Sequence, residues 1–350
     1  RQMCIRDRYS NAGYNQYYKQ AINQRRDTLY SLGGQFRLND SLTQYATLYY
    51  EGKRGYGVSP EAYATSLALH NAEAAVPGLV NPRGVQYGLS ALSGHRYGAR
   101  TGLQWELGAH RLEAGVWAEK DVFNRLQARY NLTDGSPAGE PLRNEPVHLQ
   151  GDFTSTRDSL QLHLKDTWSL LDDRLLVQFG FKRLELDYRI EGQRNAGDYI
   201  NGRNPRLSTT WRDGFLPQLG VVYNLTGNSQ LFASYSENMA LPRGADDIYR
   251  AASPQAPAPE AERAKNYEAG WRLNRPTFNA AWALYRTDFD NRLQAFASPV
   301  PGSSQVETFY QNVGKAQAYG SELSGQWKPE ALGGQVIFNG ALTYNRAQFK

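Results

Sequence analysis

Residues 214–242 read "GFLPQLGVVYNLTGNSQLFASYSENMALP". Phe215, Pro217, Leu219, Val221, Tyr223 and Leu225 fall on one parity, and Gln218, Gly220, Val222 and Asn224 on the other. Successive side chains of a strand point to opposite faces, so this alternation predicts one apolar wall and one mostly polar wall. Thr226, Gly227 and Asn228 supply turn chemistry, with Gly227 free to take positive φ. Leu231, Ala233 and Tyr235 continue the apolar face on the return strand, although Phe232 sits on the polar side. A hairpin of this kind fits a soluble sandwich as well as a barrel, so the question is what covers its apolar wall.

The pattern recurs along the chain. In 97–107, Tyr97, Ala99, Thr101, Leu103, Trp105 and Leu107 alternate with Gly98, Arg100, Gly102, Gln104 and Glu106. A turn at Gly108, Ala109 and His110 leads into Leu112, Ala114, Val116 and Ala118. In 159–170, Leu160, Leu162, Leu164, Trp168 and Leu170 share one face, and Asp172 and Asp173 turn the chain. Leu175, Val177, Phe179 and Phe181 follow; beyond Lys182 the phase flips to Leu184, Leu186, Tyr188 and Ile190. Such a flip marks a bulge or a strand end rising above a membrane. Further pairs are expected at 28–38 with 41–53, 263–273 with 277–290, and 307–327 with 334–349. In 41–53 the apolar face is either Leu42, Ala46 and Leu48 or Tyr45, Thr47 and Tyr49. The whole reads as about a dozen strands with no amphipathic helix.

The connections are lopsided. One side has turns of about two to five residues, whereas the other has long intervals at 54–96, 122–154, 191–211, 241–262 and 297–306. Short turns at one rim and long loops at the other characterise an outer-membrane barrel, with the short turns periplasmic. Composition agrees. No run of about 18 apolar residues predicts a membrane helix. A mean hydropathy of −0.65 is compatible with strands that show lipid only one face. The 23 Tyr and 7 Trp suit aromatic girdles. The net charge of +5 is scattered rather than clustered, which argues against nucleic-acid binding. Cys4 is the only cysteine, which excludes an intrachain disulfide or a cysteine metal cluster. The opening "RQMCIRDR" has no apolar signal core and fits no strand, so residues 1–8 are read as non-native and 9–350 as the barrel domain.

The quoted stretch resembles the barrel of TonB-dependent outer-membrane receptors. Pro217, Gly220 and Tyr223 lead into "LFASYSENMALP"; "PEAERAKNYEAGWR" at 259–272 is similar to that family's "PExxxxxExG" strand; and "ALYRTDFDNRLQ" follows at 283–294. "YQNVGKAQAYGSELSGQWKP" at 310–329 then matches an N-x-G…G-x-E pattern through Asn312, Gly314, Gly320, Glu322 and Leu323. The resemblance implies an all-β, antiparallel transmembrane β-barrel of about 22 strands, of which this chain is a segment without plug, TonB box or final strand. It also implies uptake of a scarce, large solute, foremost a ferric siderophore, driven by the TonB–ExbB–ExbD complex through the missing plug. Cobalamin, a carbohydrate, another metal chelate, a passive porin and a soluble β-sandwich enzyme are the alternatives.

Enzymatic chemistry finds little support. His70, His95, His110, His148 and His163 are dispersed, without metal-ligand spacing, and no cofactor motif is present. Asp172 with Asp173, and Asp246 with Asp247, read as solvated turn formers. The expected ligand-binding groups are the Arg and Tyr residues of the long loops: Arg54, Tyr56, Tyr63, Arg83, Arg96, Arg194, Tyr199, Arg203, Arg206, Arg243, Tyr249 and Arg250. Guanidinium forks and phenol hydroxyls bind anionic chelates by charge-assisted hydrogen bonds and stacking. The same residues suit lipopolysaccharide phosphates.

Overall fold

Twelve antiparallel strands form one continuous sheet in the computed structural model, each paired with its neighbour in sequence apart from one inserted hairpin. The structure describes residues 20–62, 85–133, 139–240, 259–299, 306–333 and 335–350. The strands are β1 (Ile22–Arg37), β2 (Leu42–Ala62), β3 (Val85–Leu107), β4 (His110–Leu132), β5 (Pro141–Leu170), β6 (Leu175–Gln193), β7 (Arg206–Thr226), β8 (Ser229–Ala240), β9 (Glu262–Asn274), β10 (Phe278–Asp290), β13 (Ala316–Trp327) and β14 (Phe338–Phe349). A separate two-stranded hairpin, β11 (Leu293–Pro299) with β12 (Val306–Asn312), stands between β10 and β13.

Register fixes the two faces, because residues paired across strands share a side of the sheet. Leu103, Ala114, Leu164, Phe181 and Pro217 form one continuous row. Tyr45, Gly102, Gly115, His163 and Lys182 form a row on the opposite face. The ambiguity in 41–53 is thereby resolved: Leu42, Ala46 and Leu48 join the apolar face, while Tyr45, Thr47 and Tyr49 lie on the polar one. Five of the seven tryptophans, Trp105, Trp168, Trp271, Trp282 and Trp327, cluster near the short turns, the place of an aromatic girdle.

Several expectations need correction. Much of the long intervals is strand: 54–62, 85–96, 122–132, 141–154 and 206–211 extend the sheet beyond the apolar rows. Their alternation was hidden because both faces there are wet or packed on protein, which removes the lipid-facing signature. One short helix, α1 (Ala196–Ile200), also occurs where only loop was expected, capped by Asn195 Oδ1 accepting the Asp198 N–H at 2.9 Å. The stretch 307–327 is two strands, broken where Gly314 takes φ +92°. Gly227 adopts no positive φ; at the β5–β6 turn Leu171, Asp172 and Asp173 do instead.

The phase flip at Lys182 has a particular cause. β6 stays in unbroken register with β5 from Leu175 to Gln193, so no bulge disturbs that pairing. Leu184, Leu186, Tyr188 and Ile190 therefore continue the polar-face rows, and the apolar residues have changed sides. There they meet Phe153, Trp211 and Ala261 in a buried cluster. The outer face at the same level turns ionic: Lys120 pairs with Asp158, Arg189 with Asp158, and Arg212 with Glu185. The bulge lies in β7, where Gly214 and Phe215 together oppose Arg183, bringing Trp211 and Asp213 onto the inner face.

Candidate functional site

The polar face carries a continuous side-chain network. Tyr45 Oη lies 3.3 Å from Glu113 Oε1 and 3.2 Å from His163 Nε2, and Lys165 Nζ lies 2.8 Å from Glu113 Oε2. Higher up, Trp117 Nε1 donates to Tyr49 Oη at 2.8 Å, and Tyr49 donates to Glu119 at 2.5 Å. Each tyrosine ring lies across a glycine of β3, Tyr45 over Gly102 and Tyr49 over Gly98, where a methyl group would overlap the ring. Phe232 over Gly270 and Tyr285 over Gly320 repeat the device. The absent side chain lets each ring lie flat on the wall.

Above this network a cavity of about 300 Å³ opens against β1–β5. Arg25, Lys53, His95, Arg96, Asp121 and Arg157 are among its lining residues. Arg96 lies 2.6 Å from Glu51 and 3.7 Å from Glu119, and Arg157 reaches both Glu119 and Asp121. Several Arg and Lys groups thus face one space, held in place by carboxylates behind them. Paired guanidiniums retain further N–H groups for an anionic guest.

The sequence-predicted site residues do not converge on this cavity. Arg96 lines it. Arg54, Tyr56 and Arg206 belong to rows of the outer, apolar-side face, with Arg206 2.5 Å from Glu191. Arg194 is buried and grips Asp198 at 2.7 Å; Arg203 reaches the same carboxylate at 3.1 Å. This pair clamps α1 and orders the loop after β6. Tyr199, on α1, packs edge-on against the buried His148. Burial and the neighbouring Arg129 charge push the His148 imidazole down to about 4. Tyr63, Arg83, Arg243, Tyr249 and Arg250 lie outside the described residues, as do Cys4 and the whole of 1–8. Sequence reasoning missed Arg25, Lys53 and Arg157 because it looked only in the long intervals, whereas strand parity places all three on the polar wall. Among the described residues no cluster of three or more His, Cys, Asp or Glu is placed to hold a metal ion.

The motif residues meet at one point. Asn312 Nδ2 donates to the carbonyls of Glu260 and Asn291, and Asn312 Oδ1 accepts the Glu260 N–H at 2.9 Å. Asn291, in a left-handed conformation, donates to Glu260 Oε2, while Glu262 takes Arg292 at 2.6 Å and the Leu293 N–H at 2.9 Å. The segments 259–272, 283–294 and 310–329 are therefore tied together where β9 begins and the β11–β12 hairpin departs.

The TonB-dependent receptor-like β-barrel model matches residues 5–350. The chain belongs to that family. No curated protein matches it. Among solved structures it is similar to the copper transporter OprC, with 13% identity and a TM-score of 0.67 over 93% of this chain and 46% of that one. It is also similar to the siderophore receptor PiuA from Acinetobacter baumannii, with 15% identity and a TM-score of 0.66 over 94% and 48%. The ferric citrate transporter FecA in its unliganded form gives 18% identity and a TM-score of 0.65 over 93% and 43%. At these identities the likeness is one of fold, and this chain spans a little under half of each structure.

Membership in the TonB-dependent receptor family settles the orientation of the sheet. It is a segment of an outer-membrane barrel: the apolar face meets lipid, the polar face lines the lumen, and the short turns are periplasmic. None of the described helices is long and apolar enough to cross a membrane, as expected of a protein that crosses with strands. The cavity at Arg25, Lys53, Arg96 and Arg157 lies on the lumen side, and the family is one of receptors rather than enzymes.

Proposed function

We propose that this chain is the wall and vestibule of a receptor that takes up an anionic metal chelate, foremost a ferric siderophore, by binding followed by TonB-driven passage. The observation that carries this reading is the cluster of Arg25, Lys53, Arg96 and Arg157 around one lumen-side cavity. Anionic chelates have the charge to match it, and planar guanidiniums suit carboxylate and catecholate oxygens. The similar structures include a siderophore receptor, a ferric citrate transporter and a copper transporter. In this reading energy comes from the TonB–ExbB–ExbD complex, and the protein's own residues perform no covalent step. Lipopolysaccharide phosphates border the outer face.

The test is uptake of radiolabelled ferric chelates by iron-starved cells whose only iron receptor is this protein. Accumulation that disappears on removal of TonB, and falls at least tenfold in an Arg96→Gln/Arg157→Gln variant, is the expected result. Uptake that persists without TonB assigns a passive pore. TonB-dependent uptake restricted to cobalamin or a carbohydrate keeps the machinery and overturns the substrate.

A further inference from the structure

The sheet comes apart at one place. β7 pairs with β8 from Gln218↔Ser236 down to the turn, and among the described residues 206–217 of β7 have no strand partner on that side. β8 nevertheless continues to Ala240, paired with β9 along its whole length. The bulge of Gly214 and Phe215 in the β6–β7 pairing lies just above the last β7–β8 pair, and a bulge bends its strand. Above it the tip of β8–β9 leans onto the inner face of β5–β7. Ala261 is buried against Phe153, Leu186, Tyr188, Ile190 and Trp211, with Met239 beside it.

Residues 259–263 hold the two sides together by strand alternation. On one side, the Pro259 carbonyl accepts Trp211 Nε1–H at 3.0 Å, Ala261 enters the apolar cluster, and Arg263 Nη1 lies 2.7 Å from Asp213 Oδ2. On the other side, Glu260 binds Asn291 and Asn312, and Glu262 binds Arg292 and the Leu293 N–H. Asp213 also reaches the bulge itself, since its Oδ1 accepts the Phe215 N–H at 3.0 Å. One carboxylate thus shapes the bulge and anchors the brace. Lys182 Nζ to Asn238 Oδ1, 3.0 Å, is a further tie near the start of the division.

We infer that the bulge at Gly214 and Phe215 is a hinge in the receptor wall and that residues 259–263 are its latch, allowing the β8–β9 tip to swing off the inner face of β5–β7. The grip on the β10–β12 side is dense and polar, with backbone groups satisfied by Asn312. Among the described residues, the grip on the β5–β7 side is two hydrogen bonds, Trp211 to Pro259 and Lys182 to Asn238, one ion pair with a half-exposed arginine, and the apolar contact of Ala261 and Met239. Opening therefore occurs on the β7 side, and the tip moves with β10–β13. It uncovers Trp211 and Ile190 and widens the lumen mouth. The inference rests on geometry and does not require the proposed substrate.

Hydrogen exchange read by mass spectrometry on the receptor in outer-membrane vesicles tests it. Trp211→Phe removes the donor to Pro259 and keeps the ring; Asp213→Asn keeps an oxygen for the Phe215 N–H and removes the charge facing Arg263. In the double variant, amides of 237–240 and 259–265 are expected to exchange at least tenfold faster, with 218–236 unchanged. Unchanged exchange at 259–265 overturns the latch. Faster exchange spread equally through 218–236 overturns the hinge, because the wall then loosens as one unit. If the double variant fails to fold, Arg263→Gln carries the same two readings. Failure here leaves the uptake experiment unaffected, and a negative uptake result leaves this one standing.

Discussion

The two halves of β6 are built on opposite plans. In 175–181 the apolar side chains point outward and the polar ones inward; in 184–190 the apolar side chains point inward and the charges outward, without any break in register with β5. The lower half has hydrocarbon for a solvent on its outer side. The upper half stands in water on its outer side and makes a small protein core within. A strand's alternation thus reports what covers each face at that height, and the change of phase marks the membrane surface.

Paired truncations give the largest test of this contrast. Ile190→Ala removes buried side-chain volume from a closed cluster and is expected to cost about 2–5 kcal/mol. Leu164→Ala changes a lipid-facing residue whose space acyl chains refill, so it adds no cavity cost and is expected to cost about 2 kcal/mol, near the transfer value of the carbons lost at about 0.8 kcal/mol each. Denaturant titration in lipid vesicles, with exchange mapping to localise the effect, measures both; equal costs break the comparison.

A second test separates the halves by pH. His148 is buried in the upper half, with its imidazole held down to about 4 against an ordinary 6.5. The folded state keeps the ring neutral while the unfolded chain takes up a proton below about 6.5. Its contribution is complete above pH 6.5 and is lost as pH falls toward 4, by at most about 3 kcal/mol at 1.36 kcal/mol per unit. The upper strands should loosen across that window while 97–107 and 159–170 do not, and His148→Phe should abolish the dependence. The smallest effect is expected for Arg189→Gln, which breaks an exposed outer-face pair with Asp158 and should cost about 0–1 kcal/mol.

What could be read from the sequence followed the same division. Strands that meet lipid on one face and water on the other announced themselves: Leu160, Leu162 and Leu164, or Leu219, Val221 and Tyr223, needed no structure. Where both faces are wet or packed on protein, as in 122–132 and 141–154, alternation fades and the sequence of a strand looks like that of a loop. The choice between Leu48 and Tyr49 as the outward residue stays open in the sequence for another reason. Tyrosine serves both as an interfacial aromatic and as a hydrogen-bonding wall residue, and only the glycines beneath Tyr45 and Tyr49 tell which. Gly98 and Gly102, two glycines at the same parity opposite two tyrosines, were the available signal. For the ligand groups, residue type was a poor guide without strand parity: Arg96 and Arg206 look alike in sequence and stand on opposite faces.

The knot around Asn312 also bears on how such a protein diversifies. Asn312 binds main-chain atoms of Glu260 and Asn291. Among the described residues the β11–β12 hairpin pairs only with itself, and it is fastened at its base. A module fastened in this way can be exchanged or lengthened while the strands beneath it keep their pairing.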